Sequence, residues 1–226
     1  MNIFIGYDSK ESLSYHVLSH SIQRRASRPV SIKPVALDQL KGIYTRQRGP
    51  TESTEFSLSR FLVPYLSNYT GRSIFMDCDM LCLGDIWDIS HPEGSLDPDG
   101  PAVFVCKHDY VPKSEQKFLG NVQTKYPRKN WSSFMIFNND KCRMLTKEYV
   151  NMATGLELHR FLWLPDEKIG SLPLEWNWLV GEYAPNPNAK MLHYTLGGPW
   201  FDETKNCDHA DLWFAERDHM LGKTSG

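Results

Sequence analysis

The chain is short of the features that most readily assign a function. It has five cysteines among 226 residues, at positions 78, 82, 106, 142 and 207, an odd number with no Cys-x-x-Cys pair. A secreted disulfide framework and a zinc site are therefore not expected. Cys78, Cys82 and Cys106 stand in apolar runs, where a reduced thiol behaves as a small buried hydrophobe. Charge of one sign is lacking too, because 25 Lys and Arg face 27 Asp and Glu for a net charge of −2. No electrostatic footprint for nucleic acid or an anionic membrane results. No charge-free run approaches the ~18 residues that cross a bilayer, and no leader-like segment precedes the strand-like run at Asn2. The expectation is a cytoplasmic protein without a transmembrane segment, and the sequons at Asn68 and Asn130 read as chance. Gly-x-Ser-x-Gly and Gly-x-Gly-x-x-Gly are both missing, which removes the main supports of a serine hydrolase and a dinucleotide fold. The late Gly222-Lys223-Thr224 has Arg217 where a phosphate loop needs its first glycine.

Strands and helices alternate in what is there. Residues 2–7 (NIFIGY) form a short apolar run, and residues 9–24 carry Leu13, Val17, Leu18 and Ile22 at helical spacing. Residues 30–37 alternate like a strand, with Pro34 favouring an edge. Residues 38–55 are polar and too long for an ordinary connection, so they are expected to be a functional loop that closes over a ligand. Residues 56–66 resume a helical pattern that Pro64 should end or kink. Buried strands are expected at residues 73–76, 102–106 and 133–137, residues 80–83 are apolar again, and a late strand is expected at 190–194. Helices are expected over residues 140–152, part of 155–161, and 208–221. The pattern predicts one α/β domain over residues 1–226, a three-layer sandwich with a mostly parallel central sheet, and residues 202–226 as a helical extension. Ligands of such sheets bind beyond the carboxyl ends of the strands.

The strongest local signal is SIFMDCDMLCLGD, residues 73–85. Strand periodicity puts Asp77 and Asp79 on one face, with Cys78 turned into the sheet. Two carboxylates at the mouth of an apolar strand are costly unless a cation compensates them, and a divalent metal is the simplest compensation. His193 ends the late strand, ahead of Gly197-Gly198-Pro199-Trp200, where glycines let backbone N–H groups approach an anion. Carboxylates with one imidazole suit Mn²⁺ better than Mg²⁺. The basic run at residues 126–130, with Lys107 and His108, faces a phosphate or solvent; the sequence does not choose.

The order of these motifs resembles a known family. Gly6-Tyr7-Asp8 after the first strand, an Arg in SLSRFLVPYL, the strand ending DCD, WSSFMIFN, the acidic pair before SLPLEWNWL and the late HYTLGGPW are similar to a GT-A glycosyltransferase of family 8, the glycogenin and bacterial lipopolysaccharide galactosyltransferase type. The likeness spans residues 2–201. It implies a nucleotide-diphospho-sugar transferase fold, a UDP-sugar donor, Mn²⁺ or Mg²⁺, and transfer with retention to a glycan, lipid-linked or small-molecule acceptor. Carried over residue by residue, it implies metal ligation by Asp77, Asp79 and His193, and catalytic roles for Asp166 and Arg60. Donor binding falls to Gly6, Tyr7, Asp8, Arg60, Cys78, Ser132, Ser133, Gly197 and Gly198. Two departures stand out. Gly198 replaces the Lys usual before the late Pro-Trp, and Trp131 replaces an Asn of the sugar pocket.

Other readings remain open at this stage. A haloacid-dehalogenase-type phosphatase also ends a strand in Asp-x-Asp, but near its N-terminus, with Gly-Thr following. A nucleotidylyltransferase needs a Gly-rich basic loop after its first strand, which Gly6-Tyr7-Asp8-Ser9-Lys10 is not. A non-catalytic nucleotide-sugar or glycan-binding module on the same fold would explain the missing Lys. For the acceptor, Trp176, Asn177 and Trp178 are a candidate aromatic platform. A lipid-linked acceptor would bring the protein to the inner face of the membrane.

Overall fold

The computed structural model describes residues 1–49, 52–109 and 127–223. Residues 50–51 of the long polar loop, Tyr126 of the basic run and Thr224 of the Gly-Lys-Thr string lie outside them. Among the described residues nine strands form: β1 (Asn2–Gly6), β2 (Ser31–Val35), β3 (Arg72–Met76), β4 (Met80–Cys82), β5 (Val103–Cys106), β6 (Phe134–Asn138), β7 (Ile169–Leu172), β8 (Trp178–Leu179) and β9 (Met191–His193). Six of them make the main sheet, in the order β2-β1-β3-β6-β5-β7, and β4, β9 and β8 make a smaller one. Within the main sheet only β6 runs against its neighbours β3 and β5, so the sheet is mostly parallel. Its central strands are continuous apolar runs because both faces are covered: β5 and β6 are buried at every position, and β3 at all but Arg72. Pro34 sits on β2, an edge strand, where its missing N–H costs no ladder bond.

The helices are α1 (Ser12–Arg25), α2 (Val63–Leu66), α3 (Lys147–Met152), α4 (Gly155–His159) and α5 (Ala210–Met220). Val17, Leu18 and Ile22 of α1 are fully buried, whereas Leu13 is exposed. Helix α5 packs Trp213 into a second apolar cluster with Val17, Leu81, Leu192 and Tyr194. An ionic lock reinforces that docking. Glu216 of α5 accepts from Arg24 and Arg25 of α1 at 3.0 and 2.7 Å, and pairs with His20 at 2.7 Å.

Several expected elements differ. Pro64 neither ends nor kinks a helix; it occupies the first turn of α2, after a 3₁₀ turn at Ser59–Leu62, where a helix needs no N–H donor. The helix expected over residues 140–152 begins only at Lys147, because the Thr146 hydroxyl caps it there by accepting from Tyr149 N. Strands β7 and β8 were not foreseen, being too short and, in β7, too broken by Gly170 to show a period. Part of the long polar loop is tied to α3: Thr45 N donates to Asn151 Oδ1 at 2.7 Å, and Arg46 Nη1 donates to the Val150 and Ala153 carbonyls.

Candidate metal centre

Strand register brings the three expected ligands together. β4 and β9 pair antiparallel with Met80 opposite His193, so Asp79, one residue before Met80, lies beside the imidazole. Tyr194 N donates to Asp79 O at 2.9 Å and closes that corner. Asp77 leaves the end of β3 and is anchored by its own N–H, which donates to Ser133 O at 2.9 Å. Ligand atoms of Asp77, Asp79 and His193 all lie within 4.8 Å of one another, and His193 Nε2 stands 3.4 Å from Asp79 Oδ1. His193 is 2% exposed, and the side chains of Asp77 and Asp79 are each 14% exposed.

A buried arginine braces this cluster. Arg60 Nη1 is 2.7 Å from Asp77 Oδ1 and donates to Ser132 O at 2.9 Å. Its guanidinium lies over the neighbouring Phe56 and Phe75 rings, 5.2 and 5.1 Å from their centroids. The cation is spent on Asp77 and a backbone carbonyl, which makes Arg60 a support of the first ligand. Glu11, which sequence reasoning missed, is 3% exposed. Burial, then the charges of Asp79, Asp8 and Asp77, push its carboxyl up to about 9. His108, for which the sequence does not choose between phosphate and solvent, is also buried: burial, with His193 nearby, pushes its imidazole down to about 3, and its Nδ1 is 2.9 Å from Tyr183 Oη. Lys107 donates to Ile169 O at 2.7 Å and lies over the Trp131 ring.

The other expected site residues spread around this core. Gly6 ends β1, with Tyr7 and Asp8 beyond it, at the same end of the sheet as Asp77. Asp8 Oδ1 accepts from Lys10 N and Oδ2 from Glu55 N, so this carboxylate caps a turn and tethers the long loop. Tyr7 packs edge-on to Tyr15. Ser132 Oγ bonds His159 Nδ1 at 2.7 Å, and Ser133 Oγ donates to Asn130 O at 2.6 Å, so both hydroxyls already serve protein contacts. Cys78 is fully buried and its thiol is pushed up, chiefly by burial, which leaves only its backbone to meet a ligand. Gly197 has φ +115°, a conformation suited to glycine, and its N–H donates to Tyr194 O at 2.8 Å. At Gly198 a Cβ would stand 2.0 Å from the Trp200 ring. Glycine is therefore required there for packing, whatever else its N–H does.

Asp166 lies just before β7; its side chain is 79% exposed and accepts from Arg128 at 2.6 Å, outside the carboxylate and imidazole cluster. The tryptophan platform does not form as such, because Trp176 is buried against Phe134 and Asn177 is wholly buried, leaving Trp178 to pack on Tyr183.

Two carboxylates and one imidazole converge here among the described residues. The donor set fits a divalent cation with oxygen and nitrogen preference, and Mn²⁺ accepts that mixture better than Mg²⁺. No helix among the described residues is long and apolar enough to cross a membrane.

Solved structures share this architecture. The WbbM bifunctional glycosyltransferase superposes with a TM-score of 0.65 at 15% identity, over 99% of this chain and 51% of that one. The glycosyltransferase GlyE of Streptococcus pneumoniae TIGR4 gives 0.59 at 14%, over 98% of this chain and 62% of its own. The chain thus spans between half and two thirds of those proteins. The galactosyltransferase LgtC, solved with donor and acceptor sugar analogs, gives 0.58 at 11%, over 99% and 100% of the two chains. At these identities the likeness defines the fold, which is GT-A, in agreement with the family 8 resemblance. No protein-family model matches the sequence. Among curated proteins one similarity is far stronger: with 50% identity over 223 residues, 95% of this chain and 85% of its relative, the chain belongs to the family of Protein CDI from Arabidopsis thaliana.

Proposed function

We propose that the protein is a metal-dependent glycosyltransferase of the hexosyltransferase type, which moves a sugar from a UDP-sugar to a glycan, lipid-linked or small-molecule acceptor with retention. The observation that carries this reading is the convergence of Asp77, Asp79 and His193 at the ligand-binding edge of a GT-A sheet. These side chains would hold Mn²⁺ or Mg²⁺. When bound, the metal supplies positive charge against the diphosphate as the anomeric C–O bond breaks. Arg60, paired with Asp77 at 2.7 Å, would compensate that carboxylate when no metal is bound. Gly6, Tyr7 and Asp8 border the nucleobase end, and the backbone about Cys78, Ser132, Ser133, Gly197 and Gly198 borders the diphosphate and donor sugar. Asp166, held by Arg128 at the rim, orients a sugar hydroxyl. A single domain acting in the cytoplasm, at the membrane face when the acceptor is lipid-linked, goes with this reading.

The outward position of Asp166 also favours a second reading, a nucleotide-sugar-binding module without turnover. One experiment separates them. UDP release is followed over a panel of UDP-sugars and acceptors with Mn²⁺, beside an Asp79→Asn control. Metal-dependent release that Asp79→Asn abolishes supports the transferase. Metal-dependent UDP binding with no release across the panel supports the module, and no UDP binding at all sinks both.

A further inference from the structure

We infer that Asn177 is the positioning residue of the metal centre: it locks the His193 ring with Nε2 presented to the cation and thereby sets metal affinity without touching metal or donor. The inference rests on the reading of Asp77, Asp79 and His193 as the ligand set.

The direction of every hydrogen bond in the supporting chain follows from its far end, a backbone carbonyl. Asn130 O can only accept; it takes the Ser133 hydroxyl proton at 2.6 Å and faces Asn177 Nδ2 at 3.3 Å. The Ser133 oxygen, its proton used, accepts from Asn177 Nδ2 at 2.8 Å. The amide nitrogen of Asn177 therefore points to Ser133 and Asn130, and its Oδ1 must be the atom 2.8 Å from His193 Nδ1. An amide oxygen is an acceptor only, so Nδ1 carries the proton and donates. Nε2 is left to face Asp79 Oδ1 at 3.4 Å, the side on which the ligand atoms gather. A histidine ligand is ordinarily held by a donor bond from its other ring nitrogen to an oxygen, which fixes tautomer and ring angle. Here a neutral amide does that task.

The arrangement is rigid for local reasons. Asn177 is 0% exposed and ends a 3₁₀ turn, Leu174–Asn177, whose Trp176 is pinned in the core. The same short segment supports both halves of the centre. Ser133 takes the Asp77 N–H on its carbonyl and the Asn177 amide on its hydroxyl, while Ser132 O takes Arg60. An Asn between two tryptophans thus reads as an inward support.

The test measures Mn²⁺ affinity of the full chain by titration followed through the electron paramagnetic resonance of free Mn²⁺. Asn177→Leu removes the acceptor while keeping the same branched heavy-atom skeleton, and is expected to weaken Mn²⁺ binding by about 10- to 100-fold. Asn177→Asp keeps an acceptor oxygen at Nδ1 and should stay within a few-fold of the wild type. As a measurement independent of any variant, long-range ¹H–¹⁵N correlation on wild-type protein saturated with diamagnetic Zn²⁺ should show the His193 proton on Nδ1 and the metal on Nε2. If Asp79→Asn weakens Mn²⁺ binding while folded Asn177→Leu stays within about twofold, or if the metal sits on Nδ1, the inference is overturned alone. If the wild type binds no Mn²⁺, or Asp79→Asn binds it equally, the ligand set falls and the inference with it.

Discussion

Replacing Arg60 with methionine should make the metal-free protein much less stable and its metal site tighter. Arg60 and Asp77 meet at 2.7 Å with side chains only 6% and 14% exposed. Removing one partner of a buried pair costs about 3–5 kcal/mol, because the other charge is left uncompensated. Coulomb's law gives a similar figure, about 4 kcal/mol for charge centres about 4 Å apart at an effective dielectric of about 20. Methionine keeps an unbranched chain packed against Phe56 and Phe75, so little of the loss should come from packing. For a chain of this size about 4 kcal/mol lowers Tm by roughly 8–16 °C. The same cation competes with a metal for Asp77. An opposite charge within ~4–6 Å shifts a carboxylate's proton affinity by about 1–3 log units, so Mn²⁺ affinity should rise at least about tenfold without it. At equal non-limiting Mn²⁺ the variant should then gain about 1.4 kcal/mol more than the wild type from the metal. Urea denaturation followed by far-ultraviolet circular dichroism, with and without Mn²⁺, reads both terms. A metal-free loss below about 1 kcal/mol, or an identical Mn²⁺ increment in the two proteins, refutes the argument.

Three further outcomes follow from the same structure. In chelator, stability should be flat between about pH 4.5 and 6.5 and fall on both sides. Folded Glu11 keeps its proton up to about 9 while the unfolded chain loses it near 4.5, which costs stability as pH rises. Buried His108, held down to about 3, refuses a proton the unfolded chain takes near 6.5, which costs stability as pH falls and cancels the Glu11 slope in between. Below pH 4.5 Glu216 adds to the acid loss, since hydrogen bonds from Arg24, Arg25 and His20 outweigh its burial and hold it near 2. Glu11→Gln should flatten the alkaline limb, and an unchanged limb would discard Glu11 as its source. Glu216→Gln should cost about 2 kcal/mol in urea titration at pH 7, a buried-pair cost discounted for the partial exposure of its partners; a loss under about 0.5 kcal/mol would mean α5 is held by Trp213 alone. Gly198→Ala should displace the Trp200 ring, shift tryptophan fluorescence and cost about 1–3 kcal/mol, and unaltered fluorescence and stability would contradict the packing role.

The parts of the fold legible in the sequence were those with a strong local signature. The runs that became β1, β3, β5 and β6 are apolar because the sheet is covered on both faces, and Asp77, Asp79 and His193 stood at strand ends where chemistry is expected. Long-range pairing was not legible. Nothing in SRFLVPYL says that Arg60 is spent on Asp77, because that contact depends on how the 3₁₀ turn lies under β3. The glycines before Trp200 read as an anion nest, and the packing of the Trp200 ring against Gly198 was not legible. Asn177 sat between tryptophans that suggested a sugar platform, and only the pairing of β8 with β9 turns it toward His193. For Asp166 motif order gave a place along the chain, and only the structure gives its pairing with Arg128 and its exposure.

The central claim, that Asp77, Asp79 and His193 form a metal centre for a nucleoside diphosphate, is tested most directly by isothermal titration of UDP into wild-type protein and Asp79→Asn, each with and without Mn²⁺. The account predicts that UDP binding to the wild type requires Mn²⁺ and that Asp79→Asn removes the metal-dependent part. UDP binding of equal strength without metal, or untouched by Asp79→Asn, would contradict it.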